Sequence, residues 1–295
     1  MMLRVTDQTM TMSAQRSLAA SQARLAAAQA AASSGQRIGR PSDDPVGAGE
    51  SLRVRAQIAA ASQHQRNIDD GTAWLTTLDS ALGSATGFLR QVRDLAVQGG
   101  NGSLNQNGRD ALATQIDSLR KDLLGAANTR YLGRNIFAGS SDAPAAFTDG
   151  APPTYSGTPG DTVQRRISPE QTVRVDGDGA AVFGTGADSV FGILDAISAD
   201  LRNGVDPTGR LQALDAAMNR VVAGRVDAGA RLSGLQRAGT ENMTERNALE
   251  QRRSGIEDLD LGKAVLDLQV QQTNYQAALA ITAKVLQPSL TDFLR

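Results

Sequence analysis

The sequence predicts a mainly α protein with a small β-rich insertion: an elongated antiparallel helical bundle or coiled-coil rod formed by the N- and C-terminal segments, with the β domain at its tip. Three observations predict it. Apolar residues recur at alternating spacings of four and three at both ends of the 295-residue chain. Helix-length segments mirror each other about the middle of the sequence, and a stretch dense in proline and glycine, from about residue 138 to 185, occupies that middle. Composition agrees: 40% of residues are hydrophobic but only 3% aromatic, so the core must be built from Leu, Val, Ile and Ala, which suits long packed helices better than a sandwich or barrel.

The first element is an alanine-rich helix from Ser13 to Ser34, free of proline, with a seam of Ala14, Leu18, Ser21, Leu25, Ala28 and Ala32. Gly35 and Gly39 end it, and Arg40-Pro41-Ser42-Asp43-Asp44-Pro45 reads as a turn into the next helix. Asp44 suits the N-cap and Pro45 the first helical position, where a missing N–H costs nothing; Asp43 and Glu50 favour the positive end of the dipole. The adjacent carboxylates Asp43 and Asp44 do not converge and have no base or nucleophile beside them, so a capping turn is the better reading than a catalytic pair.

A long helix follows. Val54, Ile58, Ala61, Gln65, Ile68, Thr72 and Leu75 keep the four-three rhythm, and Leu78, Leu82, Ala85, Leu89, Val92 and Ala96 resume it after a phase slip. A helix of ~50 residues spans ~75 Å, a length that requires a coiled-coil or bundle partner. Gln98 to Asn107, with its Gly-Gly-Asn-Gly core, is a loop, and Leu112, Ile116, Leu119 and Leu123 mark a second amphipathic helix folding back on the first.

In the middle, prolines 144, 152, 153, 159 and 169 interrupt short β-prone runs, Thr162 to Ile167 and Thr172 to Val175. Asp176-Gly177-Asp178-Gly179 lacks the further oxygen ligands of a calcium loop and reads as a hairpin turn. Gly184-Thr185-Gly186 lacks the third glycine of a nucleotide fingerprint. Helical rhythm returns at Val190, Leu194, Ile197 and Leu201. After the Asp206-Pro207 cap it runs through Leu211, Leu214, Met218, Val221, Ala228, Leu232 and Leu235, with Arg225 as a polar member that sets register.

The last helix carries two apolar rows. One is Leu261, Val265, Leu268, Gln272, Tyr275, Leu279, Thr282 and Leu286; the other is Leu266, Val270, Ala277 and Ile281. Together they are wider than one partner helix covers, so this end is read as an adhesive, assembly-forming helix paired with the N-terminal one. Gly255 and Gly262 suggest a joint before it, and Pro288 a kink or end near Gln287. The breaks divide the chain into residues 1–44 (N-terminal coiled-coil helix), 45–138 (helical rod, N-terminal part), 139–187 (β-rich tip), 188–254 (helical rod, C-terminal part) and 255–295 (C-terminal coiled-coil helix).

Chemistry is sparsely represented. There is no cysteine, which excludes disulfides, thiol catalysis and thiolate metal sites. The formal net charge of −1 provides no field for nucleic acid, and no apolar run has the ~18 residues needed to insert in a membrane. Met1 to Met12 lacks the pattern of a cleaved secretory signal. The single histidine, His64, has no partner at motif distance and is read as a surface or flank residue. Trp74 is read as a packing residue. No catalytic residue, metal ligand, cofactor or small-molecule substrate is assigned.

Several separated motifs carry a resemblance. Ser34-Gly35-Gln36-Arg37-Ile38 followed by Pro41-Ser42-Asp43-Asp44-Pro45 resembles the N-terminal signature of the flagellin superfamily, in the proline-bearing form of its hook-associated members. Arg93 to Gln98 leading to Asn101-Gly102, and Gly133 to Gly139 with Pro144 and Phe147, are similar to further stretches. Tyr275 to Leu279 and Ser289 to Leu294 resemble the shared C-terminal pattern. The resemblance implies a structural protein of the bacterial flagellum at the hook–filament junction. It would join hook-associated protein 1 to flagellin, sit in a ring of its own copies, and be extracellular after type III export without a cleaved signal peptide. It further implies terminal helices that pair as an inner coiled coil, remain largely unfolded in the free monomer and order on assembly. A small export chaperone would hold the C-terminal helix, with Tyr275 as a contact, beforehand. The alternative within the same superfamily is the flagellin filament subunit itself, which the Pro41 to Pro45 element and the Gly133 to Gly139 stretch disfavour.

Overall fold

A computed structural model describes residues 2–158 and 160–286, with the side chains of residues 2–8, 285 and 286 outside that description. Leu286 as a seam side chain, the expected kink at Pro288 and the motif Ser289 to Leu294 therefore lie outside the described residues.

The chain is mainly helical, with small strand pairs in a central insertion: α1 (Met2–Ser34), α2 (Pro45–Gly99), α3 (Gln106–Ala127), β1 (Arg130–Tyr131), β2 (Arg134–Asn135), β3 (Phe147–Thr148), β4 (Thr154–Tyr155), β5 (Gln164–Arg166), β6 (Thr172–Arg174), α4 (Gly179–Phe183), α5 (Val190–Arg202), α6 (Leu211–Glu257) and α7 (Leu261–Leu286). It forms two compact units. One consists of the chain's two ends, up to Ala60 and from Arg246; the other is Ala61–Glu245. The divisions fall inside α2 and α6, which contribute to both.

In the second unit the helical rhythm becomes core. Along α2, Leu75, Leu78, Leu82, Ala85, Leu89, Val92 and Ala96 are buried, and the helix runs unbroken through the phase slip at Leu75–Leu78. They meet Leu112, Ile116 and Leu123 of α3, Leu194, Ile197 and Leu201 of α5, and Leu214, Val221, Ala228 and Leu235 of α6 in one cluster. Arg225 reaches from α6 to the Asp79 carboxylate on α2 at 2.8 and 3.2 Å. The buried Asn242 donates to the Ala61 carbonyl and the Gln65 amide oxygen at 3.0 and 2.9 Å. These polar pairs tie α6 to α2 in the axial register observed.

Two caps lie where the sequence places them, at Asp44 and Asp206, and Asn105, inside the expected loop, adds a third. The Asp44 carboxylate accepts from the Gly47 N–H at 2.9 Å, Asn105 from Gly108 at 2.9 Å and Asp206 from Thr208 at 2.9 Å, each supplying an acceptor to a free first-turn donor.

The insertion consists of three separate antiparallel pairs, β1–β2, β3–β4 and β5–β6. The first lies earlier than expected, before residue 138, and turns at Leu132 (φ 48°) and Gly133 (φ 81°), two successive positive-φ residues as in a type I′ hairpin. Leu132 is poorly suited to that conformation, so the turn has no clear sequence signature. Asp176-Gly177-Asp178-Gly179 is not the expected hairpin turn. The β5–β6 reversal lies upstream, where the Ile167 N–H bonds the Gln171 carbonyl at 3.0 Å. Asp178 instead N-caps α4 through Ala181 at 2.9 Å. Asp176 is fully buried, accepting from the Val163 N–H at 2.8 Å and from the Arg174 guanidinium at 3.0 and 2.9 Å. A buried carboxylate needs such partners, and only the fold supplies them. The scarce aromatics concentrate here too: Phe137, Phe147, Phe183 and Phe191 pack with ring centroids 5.0–5.9 Å apart.

Candidate assembly surface of the paired chain ends

α1 and α7 pack along one another, antiparallel, since the Leu259 N–H bonds the Gly35 carbonyl at 2.9 Å where one helix ends and the other is about to begin. On α1 the covered row is Ala14, Leu18, Ser21, Leu25, Ala28 and Ala32, with Leu18 and Leu25 half-buried and Ser21 buried. That is the row the spacing marks.

On α7 the covered row is Ala264, Leu268, Gln271, Tyr275, Ala278 and Thr282. Leu268 and Tyr275 thus face α1, whereas Leu261, Val265 and Leu279 do not: they are 62%, 58% and 41% exposed. Leu266, Val270 and Ile281 are exposed with them. The physical reason is size. A row of Ala, Gln, Ala and Thr around two larger side chains lets α7 lie close against the small residues of α1. The wider row of Leu, Val and Ile would hold the helices apart. The outcome is that both apolar rows of α7 face outward, to either side of the covered one.

The joint holding this pair is polar and specific. Gly35, at φ 68°, ends α1 in a left-handed turn. Beyond it the Arg37 N–H donates to the Glu257 carbonyl at 2.7 Å, and its guanidinium donates twice to the Ile256 carbonyl at 3.0 and 2.8 Å, an acceptor left free by the end of α6. The Glu257 side chain is buried at 7% exposure. It accepts from Arg55 at 2.6 and 2.8 Å and from the Ser51 hydroxyl. The Arg55 hydrogen bonds, over the opposing cost of burial, hold the Glu257 carboxyl down at about 2. Arg252 bonds Glu50 at 2.6 Å on the same pair of helices.

The glycines expected to form the joint do not break the chain. Gly255 lies within α6 and Gly262 in the first turn of α7; the break is between them, at Asp258–Asp260. Asp260 caps α7 through Gly262 and Lys263 at 2.9 and 3.2 Å. In the turn before α2, Pro41, Ser42, Asp43 and Pro45 are exposed. The Asp43 carboxylate accepts from the Arg40 N–H at 2.8 Å, and Asp44, half-buried, adds a 3.4 Å contact to Arg37. The turn thereby positions the arginine that holds α6. Sequence reading missed Arg37, Ser51, Arg55 and Glu257 as a group; the two arginines lie more than 200 positions from the residues they hold.

Elsewhere, His64 is half-buried on α2. Trp74 is buried against Tyr131 at 5.4 Å, with the Arg165 guanidinium 5.5 Å from its ring centre. A cleft of about 390 Å³ is lined by Arg174, Arg220 and Arg231; Arg174 pairs with Asp176 and Arg231 with Asp227, while Arg220 donates to the Asp188 carbonyl. Among the described residues no group of three acidic, histidine or cysteine side chains converges as a metal site, and no helix is long and apolar enough to cross a membrane.

The sequence matches the bacterial flagellin N-terminal helical region over residues 5–142 and the bacterial flagellin C-terminal helical region over residues 211–294. It is 25% identical over 302 residues to flagellar hook-associated protein 3 of Escherichia coli strain K12, covering 94% of this chain and 95% of the relative. The fold is similar to the solved structure of a flagellar hook-associated protein from Vibrio parahaemolyticus, with a TM-score of 0.68 at 21% identity over 73% of this chain and 100% of that one. It is also similar to that of the flagellar junction protein from Legionella pneumophila, at 0.59 and 16% identity over 70% and 99%.

Proposed function

We propose, for a chain that belongs to the bacterial flagellin family and whose relatives are structural parts of the flagellum, the role of hook–filament junction. In this reading it joins hook-associated protein 1 on the hook side to flagellin on the filament side, as a ring of its own copies. It reaches the outside of the cell through the flagellar type III apparatus, with a small chaperone covering the C-terminal helix during transit.

The observation that carries the reading is the pair of outward-facing apolar rows on α7. Leu261, Val265, Leu266, Val270, Leu279 and Ile281 are exposed while the helix is already paired with α1. Full burial of such a side chain is worth ~1.5–3 kcal/mol, and with 41–65% of each still exposed roughly half of that is left to be gained when further helices cover them. Neighbouring copies, hook-associated protein 1 and flagellin, all carrying helices of this kind by the family resemblance, are the surfaces that would cover them.

The test is removal of residues 256 to 295. The shortened protein is expected to remain soluble and to fail to retain filaments on hooks. Hooks that still nucleate and keep filaments with the truncated form would defeat the reading.

A further inference from the structure

Three asparagines precede glycine: Asn101-Gly102, Asn107-Gly108 and Asn203-Gly204. All three asparagines are exposed. In each pair the glycine backbone nitrogen is the potential nucleophile toward the asparagine side-chain amide, and a glycine offers no side chain to hinder the ring closure. The fold treats the pairs differently. The Gly108 N–H donates to the Asn105 carboxamide at 2.9 Å and lies inside α3. The Gly204 N–H donates to the Leu201 carbonyl at 3.2 Å. Both nitrogens are thereby held in hydrogen bonds that must break before they can attack. Gly102 lies in the loop between α2 and α3, where the flanking backbone bonds are Asn101 N–H to the Gln98 carbonyl and Leu104 N–H to the Asn101 carbonyl, both 3.1 Å. Neither uses the Gly102 nitrogen, and the space about its Cα is open. The Asn101 side-chain oxygen meanwhile accepts from the Ser103 N–H at 3.1 Å and its hydroxyl at 2.9 Å, which draws electron density from the carbon under attack.

We infer that Asn101 is a site of spontaneous deamidation in the folded protein, with Asn107 and Asn203 protected by their glycine hydrogen bonds. The Gly102 nitrogen gives its proton to solvent and bonds to the Asn101 Cγ; the Cγ–N bond of the side chain breaks and ammonia leaves, closing a cyclic imide. Water then opens the imide at either carbonyl, giving aspartate or isoaspartate. No oxidant or enzyme is required, and the formal charge of the chain, −1 before reaction, becomes more negative by one unit.

The experiment incubates the full-length folded protein in mildly alkaline buffer and follows its tryptic peptides by tandem mass spectrometry, with isoaspartyl methyltransferase as the probe for isoaspartate. Residues 94–109 hold two of the sites and residues 203–210 the third. Conversion is expected at Asn101 while Asn107 and Asn203 stay unchanged, and the three should converge in rate once the chain is unfolded in urea. Equal rates at the three sites in the folded protein would overturn the assignment. Gly102→Ala is expected to slow the appearance of the isoaspartyl signal by about tenfold or more, and its persistence at full rate would exclude the imide route. Ser103→Ala is expected to slow conversion several-fold, and an unchanged rate would remove the polarising role of Ser103.

Discussion

Glu257 shows how a single side chain ties the chain ends together. Through its carboxylate Arg55 and Ser51 of α2 both reach the end of α6, and its backbone carbonyl holds Arg37 beyond α1. Its folded-state value of about 2 lies below the ordinary 4.5. The stabilisation is therefore present above pH 4.5 and is lost as pH falls from there toward 2. In the wild type, the protection of backbone amides across residues 35–58 and 250–262, taken as the exchange rate relative to the intrinsic rate at each pH, is expected to fall on acidification through that window. Glu257→Gln should show faster exchange there already at neutral pH, with a weaker acid dependence. A variant as protected as wild type at neutral pH would show that the carboxylate does not hold the joint. At this scale, legibility depends on distance along the chain. Asp44 as a cap needs only its neighbours, and sequence spacing finds it. Glu257, Arg55 and Asp176 are defined by partners from other elements, and nothing adjacent to them in sequence marks them.

At the scale of elements, periodicity identifies that a segment is helical and that it has an apolar side, but α7 has two apolar rows and a third, mixed one. The structure places the mixed row against α1. A consequence follows for substitution: Leu266→Glu with Val270→Glu changes residues that touch no covered row. The isolated protein is expected to keep its helicity, and its unfolding free energy from urea titration within about 0.5 kcal/mol, the usual range for surface changes, while filament retention on hooks is lost. A large drop in stability would mean that these residues pack within the single chain. The glycines flanking the joint give a second prediction. A Cβ at Gly255 meets nothing, and one at Gly262 approaches the capping Asp260 oxygen at 3.3 Å. Alanine at Gly255 should raise helix stability by ~0.5–1 kcal/mol. Alanine at both is expected to stiffen the joint and weaken joining of filament to hook, read as filaments shed into the medium. Unchanged retention would remove any role for flexibility there.

For the whole molecule, the decisive measurement is copy number. A junction protein is expected as a single ring's worth of subunits per flagellum, counted by quantitative mass spectrometry of purified filaments with hooks attached; thousands of copies would make the chain a filament subunit instead. By itself, the sequence determined the mainly helical class, the helix order, the α1 seam, the caps at Asp44 and Asp206, and that short strands interrupt the helices in the middle of the chain. All of these depend on the period of apolar residues and on local turn chemistry, which act over a few positions. Tertiary structure alone decided which row of α7 faces α1, that Asp176 is a buried anchor rather than a turn residue, and that Arg37, Ser51, Arg55 and Glu257 form the joint. The reason is that burial and charge pairing depend on which surfaces meet in space, and the period of apolar residues on α7 does not show that α1, with its small side chains, fits the mixed row rather than either apolar one.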